Sequence, residues 1–161
     1  MVGGIIIGIV VGIALTVIIE VFTIRATMVL VEASRFEFDE TVEMLEEAIM
    51  EAGWEMEASL LLNDQLKADD IHLRPKVHLF RLYKADYAEK ILKGSRHMAC
   101  FMPFAIAVFE AEDGSVKISR VNAKSVGKVL GGVMAQVLGK GAAEDEERIL
   151  RSIRKLKRIE E

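Results

Sequence analysis

Phe104-Ala105-Ile106-Ala107-Val108-Phe109-Glu110, then Ala111-Glu112-Asp113-Gly114-Ser115, then Val116-Lys117-Ile118-Ser119-Arg120-Val121 is the stretch on which the fold turns. Two runs rich in β-branched and aromatic residues flank Asp113-Gly114, a dipeptide that supplies the positive φ angles of a tight antiparallel hairpin. Upstream, Val77 to Leu82 is apolar on both alternating faces, which suits a strand in the interior of a sheet. Thr27 to Ala33 and Trp54 to Leu62 read as two further strands.

Helical periodicity fills the intervals. Val42, Leu45 and Ile49 share one face of a helix that opens near Asp39 and stops at Gly53. A short turn of helix is expected within Asn63 to Asp70, and another helix over Ala85 to Leu92, ending near Gly94. After Asn122, an N-cap, Val126, Val129, Leu130, Val133, Met134, Val137 and Leu138 form one apolar face, with Gly139 and Gly141 as the stop. A last helix begins near Ala143, pairs Glu144 with Arg148 and Glu147 with Arg151 at i,i+4 spacing, and is expected to be solvated. This order predicts an α+β fold, a mainly antiparallel sheet with helices packed on one face.

The first residues are of another kind. Val2 to Ile19 carry no charge, and with Val21 and Phe22 the run reaches the ~20 residues that cross a ~30 Å hydrocarbon layer. Nothing basic precedes it and Thr23-Ile24-Arg25-Ala26 offers no small-x-small cleavage site, so the run reads as a retained transmembrane helix, 1–24, rather than a signal peptide. A buried soluble helix would show a polar face. The expected organisation is therefore an anchor, an α+β domain over 25–122, and C-terminal helices, 123–161, completing that domain. Arg25 and Arg35 behind the helix favour a cytoplasmic domain at the cell membrane. Gly4, Gly8 and Gly12 form a smooth strip that suits close helix approach, although glycine is common in membrane helices generally.

Composition bounds the function. With 161 residues, 52% hydrophobic and 29% charged, the chain is too apolar for disorder and suits one domain plus an anchor. A net charge of -4 argues against phosphate-neutralising contact with nucleic acid. Cys100 is the sole cysteine, so no intramolecular disulfide can form, which fits a reducing compartment.

Taken together, Val77-His78-Leu79-Phe80, Ala88 to Leu92, Met102-Pro103-Phe104 through Glu110 and Asp113-Gly114-Ser115-Val116, with Phe38, Thr41, Leu45 and Gly53-Trp54, resemble the domain-of-unknown-function family 302, DUF302, over roughly 27–122. The resemblance implies a compact, self-associating α+β fold and no established reaction. The sequence departs from the family's usual pattern at Lys84-Ala85-Asp86, where an Asn-Pro step is common, and at Arg96 to Met102.

Candidate chemistry is sparse. His97, Met98, Cys100 and Met102 bring together ligand types that suit Cu(I) or haem iron. In an extended segment Met98, Cys100 and Met102 would share a face and offer three sulfurs. The alternative is a buried, sulfur-rich strand entry. His72 and His78 are isolated, and Asp64, Asp69 and Asp70 lie in a polar loop, so a hydrolase built on His72 and Asp64 is a remote reading. No nucleophile elbow, phosphate loop or Cys-x-x-Cys is present. The basic run Arg148, Arg151, Arg154, Lys155, Lys157 and Arg158 fits either anionic lipid or a solvated helix. Gly127, Gly131, Ala135 and Gly139 make a second small-residue strip, for association or for tight packing. The resulting expectation is a membrane-anchored binding or assembly module forming homo-oligomers, with a copper- or haem-binding redox accessory protein as the alternative.

Overall fold

A computed structural model describes residues 11–13, 15, 16 and 28–155. In chain order the elements are β1 (Val29–Ala33), α1 (Phe38–Glu51), β2 (Glu55–Leu61), α2 (Leu62–Ala68), β3 (Val77–Tyr83) and α3 (Ala85–Gly94). A 3-10 turn (Arg96–Phe101) leads to β4 (Phe104–Glu110) and β5 (Val116–Val121). Then come α4 (Ala123–Leu130), α5 (Gly132–Gln136), a π-helical segment (Val137–Ala142) and α6 (Ala143–Lys155). All pairings are antiparallel and the strand order is β1-β5-β4-β3-β2. The α+β class and a hairpin at Asp113-Gly114 are as the sequence predicts, but the connection is looser than a two-residue turn: Ala111 N bonds the Ser115 carbonyl, and of the dipeptide only Gly114 takes positive φ, at 79°.

One sheet face carries the core. Phe80, Leu82, Ile106, Val108, Val116 and Ile118 point inward and meet Leu45, Ile49, Ile91, Met134, Ile149 and Leu150 from the helices. Each such fully buried side chain contributes about 1.5–3 kcal/mol of transfer free energy. In α1 the buried positions Phe38, Thr41, Leu45, Ala48 and Ile49 recur every three or four residues, the spacing of one helical face. The helix opens at Phe38, behind Glu37, instead of at an Asp39 cap. Asp39 lies in the first turn, where its carboxylate meets Lys76 Nζ at 3.1 Å.

The C-terminal third departs from expectation. The apolar face after Asn122 is not one helix, because Gly131 and Gly132 take φ values of 66° and 52° and break it. Positive φ is open to glycine at no steric cost, so the chain turns here. Gly139 and Gly141 do not stop a helix either: they lie in the π-helical segment, which runs on into α6. The final helix is solvated on one face only, where Glu144, Glu147, Arg148 and Arg151 are exposed. Ile149, Leu150 and Ile153 are buried, and Arg148 bonds Asp145 at 2.6 Å.

No helix among the described residues is long and apolar enough to cross a membrane. The run from Val2 to Phe22 lies largely outside those residues, as do Gly4 and Gly8. Gly12 is described and helical, with open space where a Cβ would stand.

Candidate functional site

Four consecutive residues at the start of α6 grip most of the helical layer and the sheet. Asp145 is 7% exposed, and its Oδ2 accepts from Trp54 Nε1 at 3.1 Å, Lys84 Nζ at 2.6 Å and the Tyr87 hydroxyl at 2.9 Å. Its Oδ1 takes Arg148 at 2.6 Å, and Arg148 also donates to the Ala52 carbonyl. The Lys84 ammonium stands 5.5 Å from the Trp54 ring centroid and 5.0 Å from that of Tyr87. Burial, followed by the bond to Asp145, raises the Tyr87 phenol well above its ordinary value. A charge buried this way is tolerated because both carboxylate oxygens are hydrogen-bonded.

Beside it lies an arginine knot. Arg120 points inward from β5, its side chain 3% exposed, and meets Glu32 of β1 at 2.6 Å, Glu147 at 3.0 Å and Glu146 at 3.4 Å. Its Nε makes no well-formed hydrogen bond among the described residues, although the Glu146 carboxylate is its nearest charge. Burial pushes the Glu146 carboxyl up to about 7, against the pull of Arg120. The sequence carries a signal for this knot. In Val116-Lys117-Ile118-Ser119-Arg120, alternation puts Arg120 on the same face as Val116 and Ile118, and a charge at an inward strand position needs buried partners.

The other sheet face has a different character. Register aligns Leu60, Leu79, Ala107, Ser119 and Val31 in one row across the sheet, and Val77, Phe109, Lys117 and Ala33 in another. Val29 and Val121 pair on the same side. None of these side chains belongs to the core cluster, and Val29, Val31 and Val121 are about half exposed, at 54%, 53% and 48%. The charges on this face are locally paired, Arg81 with Glu57 at 3.6 Å and Lys117 with Asp113 at 4.0 Å. An open antiparallel face is ordinarily polar, so this one is unusually apolar.

The sequence-selected residues divide. His97, Met98 and Cys100 sit in the 3-10 turn, not in an extended segment, so the alternation that would put three sulfurs on one face does not apply. Met98 and Met102 pack against the core, whereas His97 and Cys100 are exposed, with Cys100 Sγ 3.5 Å from the His97 carbonyl. The expectation of a buried Cys100 is thus corrected. Gly127, Gly131, Ala135 and Gly139 do not line one helix. The break at Gly131 folds the chain back, and a Cβ on Gly127 would stand 2.5 Å from the Gly139 nitrogen. His72 and Asp64 are exposed, His72 Nδ1 lying 3.3 Å from the Asp70 carbonyl. His78 Nε2 bonds Ser59 Oγ at 2.8 Å across the β2–β3 pair, and burial lowers its pKa. Arg148 and Arg151 are both exposed, Arg148 reaching back along the surface to Asp145 and the Ala52 carbonyl. Arg154 and Lys155 lie in or beside the end of α6, and Lys157 and Arg158 lie outside the described residues.

Comparison with known proteins places this geometry. The family model of the domain of unknown function DUF302 matches residues 30–156, a wider span than the 27–122 that carried the resemblance. A crystal structure of an uncharacterised conserved DUF302 protein from Bacillus stearothermophilus superposes with a TM-score of 0.65 at 17% identity, covering 80% of this chain and 97% of that one. No curated protein matches the sequence.

Proposed function

Because the chain belongs to the DUF302 family, for which no reaction is implied, we propose that it is a membrane-anchored, self-associating binding and assembly module whose working surface is the outer face of the sheet. The carrying observation is that row of outward side chains, Val31, Ser119, Ala107, Leu79 and Leu60, apolar but for Ser119, which no member of the core cluster covers. The interior polar groups support the same reading, since Asp145 and Arg120 spend their hydrogen bonds on other parts of the domain. Contiguous apolar surface bordered by paired charges is the ordinary mark of a protein or membrane contact. The apolar run before β1 would hold this face close to a bilayer, because Val29 follows Phe22 by only a few residues.

Light scattering on a chain truncated to begin at Arg25 tests the proposal. It should associate at tens of micromolar, a range in which weak biological contacts form. Leu79→Lys, which places a charge within the apolar row, should shift it to monomer while leaving the circular dichroism spectrum unchanged. A wild-type domain that stays monomeric, or a Leu79→Lys variant that associates unchanged, would rule the reading out.

A further inference from the structure

We propose that two copies of this chain join edge to edge through β1, making one continuous ten-stranded sheet. The inference rests on the self-association proposed above and adds to the outer-face contact, for the tethered full chain, a second contact at the sheet edge.

The two edges of the sheet are built differently. β2 ends the sheet on one side with Glu55 and Glu57 and with a register irregularity between Met56 and Ala58, features that discourage strand addition. β1, Val29-Leu30-Val31-Glu32-Ala33, has no bulge, proline or lysine, and its one charge, Glu32, is turned inward to Arg120. That leaves one guarded edge and one open edge.

The hydrogen-bond phase of β1 follows from its ends. Ser34 N donates to the Val116 carbonyl and Asn122 N to the Met28 carbonyl, in register with Val29 opposite Val121 and Ala33 opposite Lys117. Antiparallel ladders alternate, so the even-numbered residues bond to β5 and the N–H and C=O of Val29, Val31 and Ala33 point away from the sheet. Those groups take no partner among the described residues.

The strand is compatible with itself. With a two-fold axis at Val31, Val31 meets its own copy and Val29 meets Ala33, using the outward groups of all three in about six inter-chain bonds. Glu32 then lies opposite Leu30 of the second copy, so no like charges are opposed. The axis is normal to the sheet, which leaves both outer faces on one side, merged into a single surface, and both chains entering β1 at the same level, as two anchors in one bilayer require. Tethering also raises the local concentration, which a contact of this modest size needs.

The test uses the full chain in detergent micelles, in a Cys100→Ser background so that each added thiol is the only one. Val31→Cys should cross-link to itself on mild oxidation, because directly opposed residues lie within disulfide reach. Val29→Cys alone should not, since its mate would be four residues away, about 13 Å. Val29→Cys mixed with Ala33→Cys should cross-link again. Val31→Pro should abolish the dimer at an unchanged circular dichroism spectrum, because it removes an N–H that the β1–β5 ladder does not use. A dimer that persists in Val31→Pro, or that cross-links equally at every position, overturns the edge contact and leaves the self-associating reading standing. A chain that is monomeric in micelles and as the truncated domain overturns both.

Discussion

Glu146 is where the chemistry of a single side chain becomes measurable. Its carboxyl is raised from 4.5 to about 7 by burial, so the folded state holds a proton that the unfolded chain has released. The sign follows from that. Its contribution to stability is fully present below the unfolded value and is lost as pH rises through about 7, a loss of roughly 3 kcal/mol for a shift of this size. Urea unfolding of wild type and Glu146→Gln between pH 5 and 8 should therefore diverge, wild type weakening relative to the variant as pH climbs. Parallel pH profiles would remove Glu146 as the cause. Two glycines give a sharper steric contrast. A Cβ on Gly127 would meet Gly139 and Met134 backbone atoms at 2.5 to 2.9 Å, whereas one on Gly139 finds nothing closer than 3.9 Å. Gly127→Ala should cost roughly 1–3 kcal/mol, the scale of overpacking, and Gly139→Ala almost nothing. Thermal melts of both variants decide it. Cys100→Ala should also be nearly silent, within about 0.5 kcal/mol, because the side chain is exposed.

Among the elements, α6 carries more of the fold than its sequence suggests. Glu144, Asp145, Glu146 and Glu147 followed by Arg148 and Arg151 read locally as a helix that satisfies its own charges at i,i+4 spacing. Local spacing cannot reveal partners such as Trp54, Lys84 and Arg120, which lie far back in the chain and reach α6 only after folding. Removing Asp145 should show the difference. Asp145→Ala leaves the Lys84 ammonium without its carboxylate and should destabilise by roughly 3–5 kcal/mol, as broken buried pairs do, while Glu144→Ala should fall within about 0.5 kcal/mol. Chemical denaturation of the two variants makes the comparison. The α4 to α6 region departs from its local sequence pattern for a related reason. Val126 through Leu138 keep a helical period across Gly131, so apolar spacing alone could not show that Gly131 and Gly132 adopt positive φ. The elements with local signals were legible: Asp113-Gly114 set the hairpin, and Asn122 caps α4 by accepting from the Ser125 nitrogen. The outer face was legible only in part. The two-sided apolarity of Val77 to Leu82 reflects an interior strand, yet which side stays open depends on where the helices land.

For the molecule as a whole, the first expectation is that the full chain needs detergent for extraction while a chain beginning at Arg25 does not, since the uncharged run ends before that residue. Fractionation checks this directly, and intact chain recovered from the aqueous fraction would sink it. The arrangement at α6 also has a consequence for the order in which the protein can be made. Among the described residues every strand precedes residue 122, so a nascent chain that has reached Gly132 already possesses all five strands of the sheet. It nevertheless leaves Lys84 without Asp145, and Arg120 with Glu32 alone, because Asp145, Glu146 and Glu147 have not been synthesised. A chain released at that point should lack a cooperative thermal transition despite its complete set of strands, which leaves prematurely terminated products open to proteases and the finished chain protected.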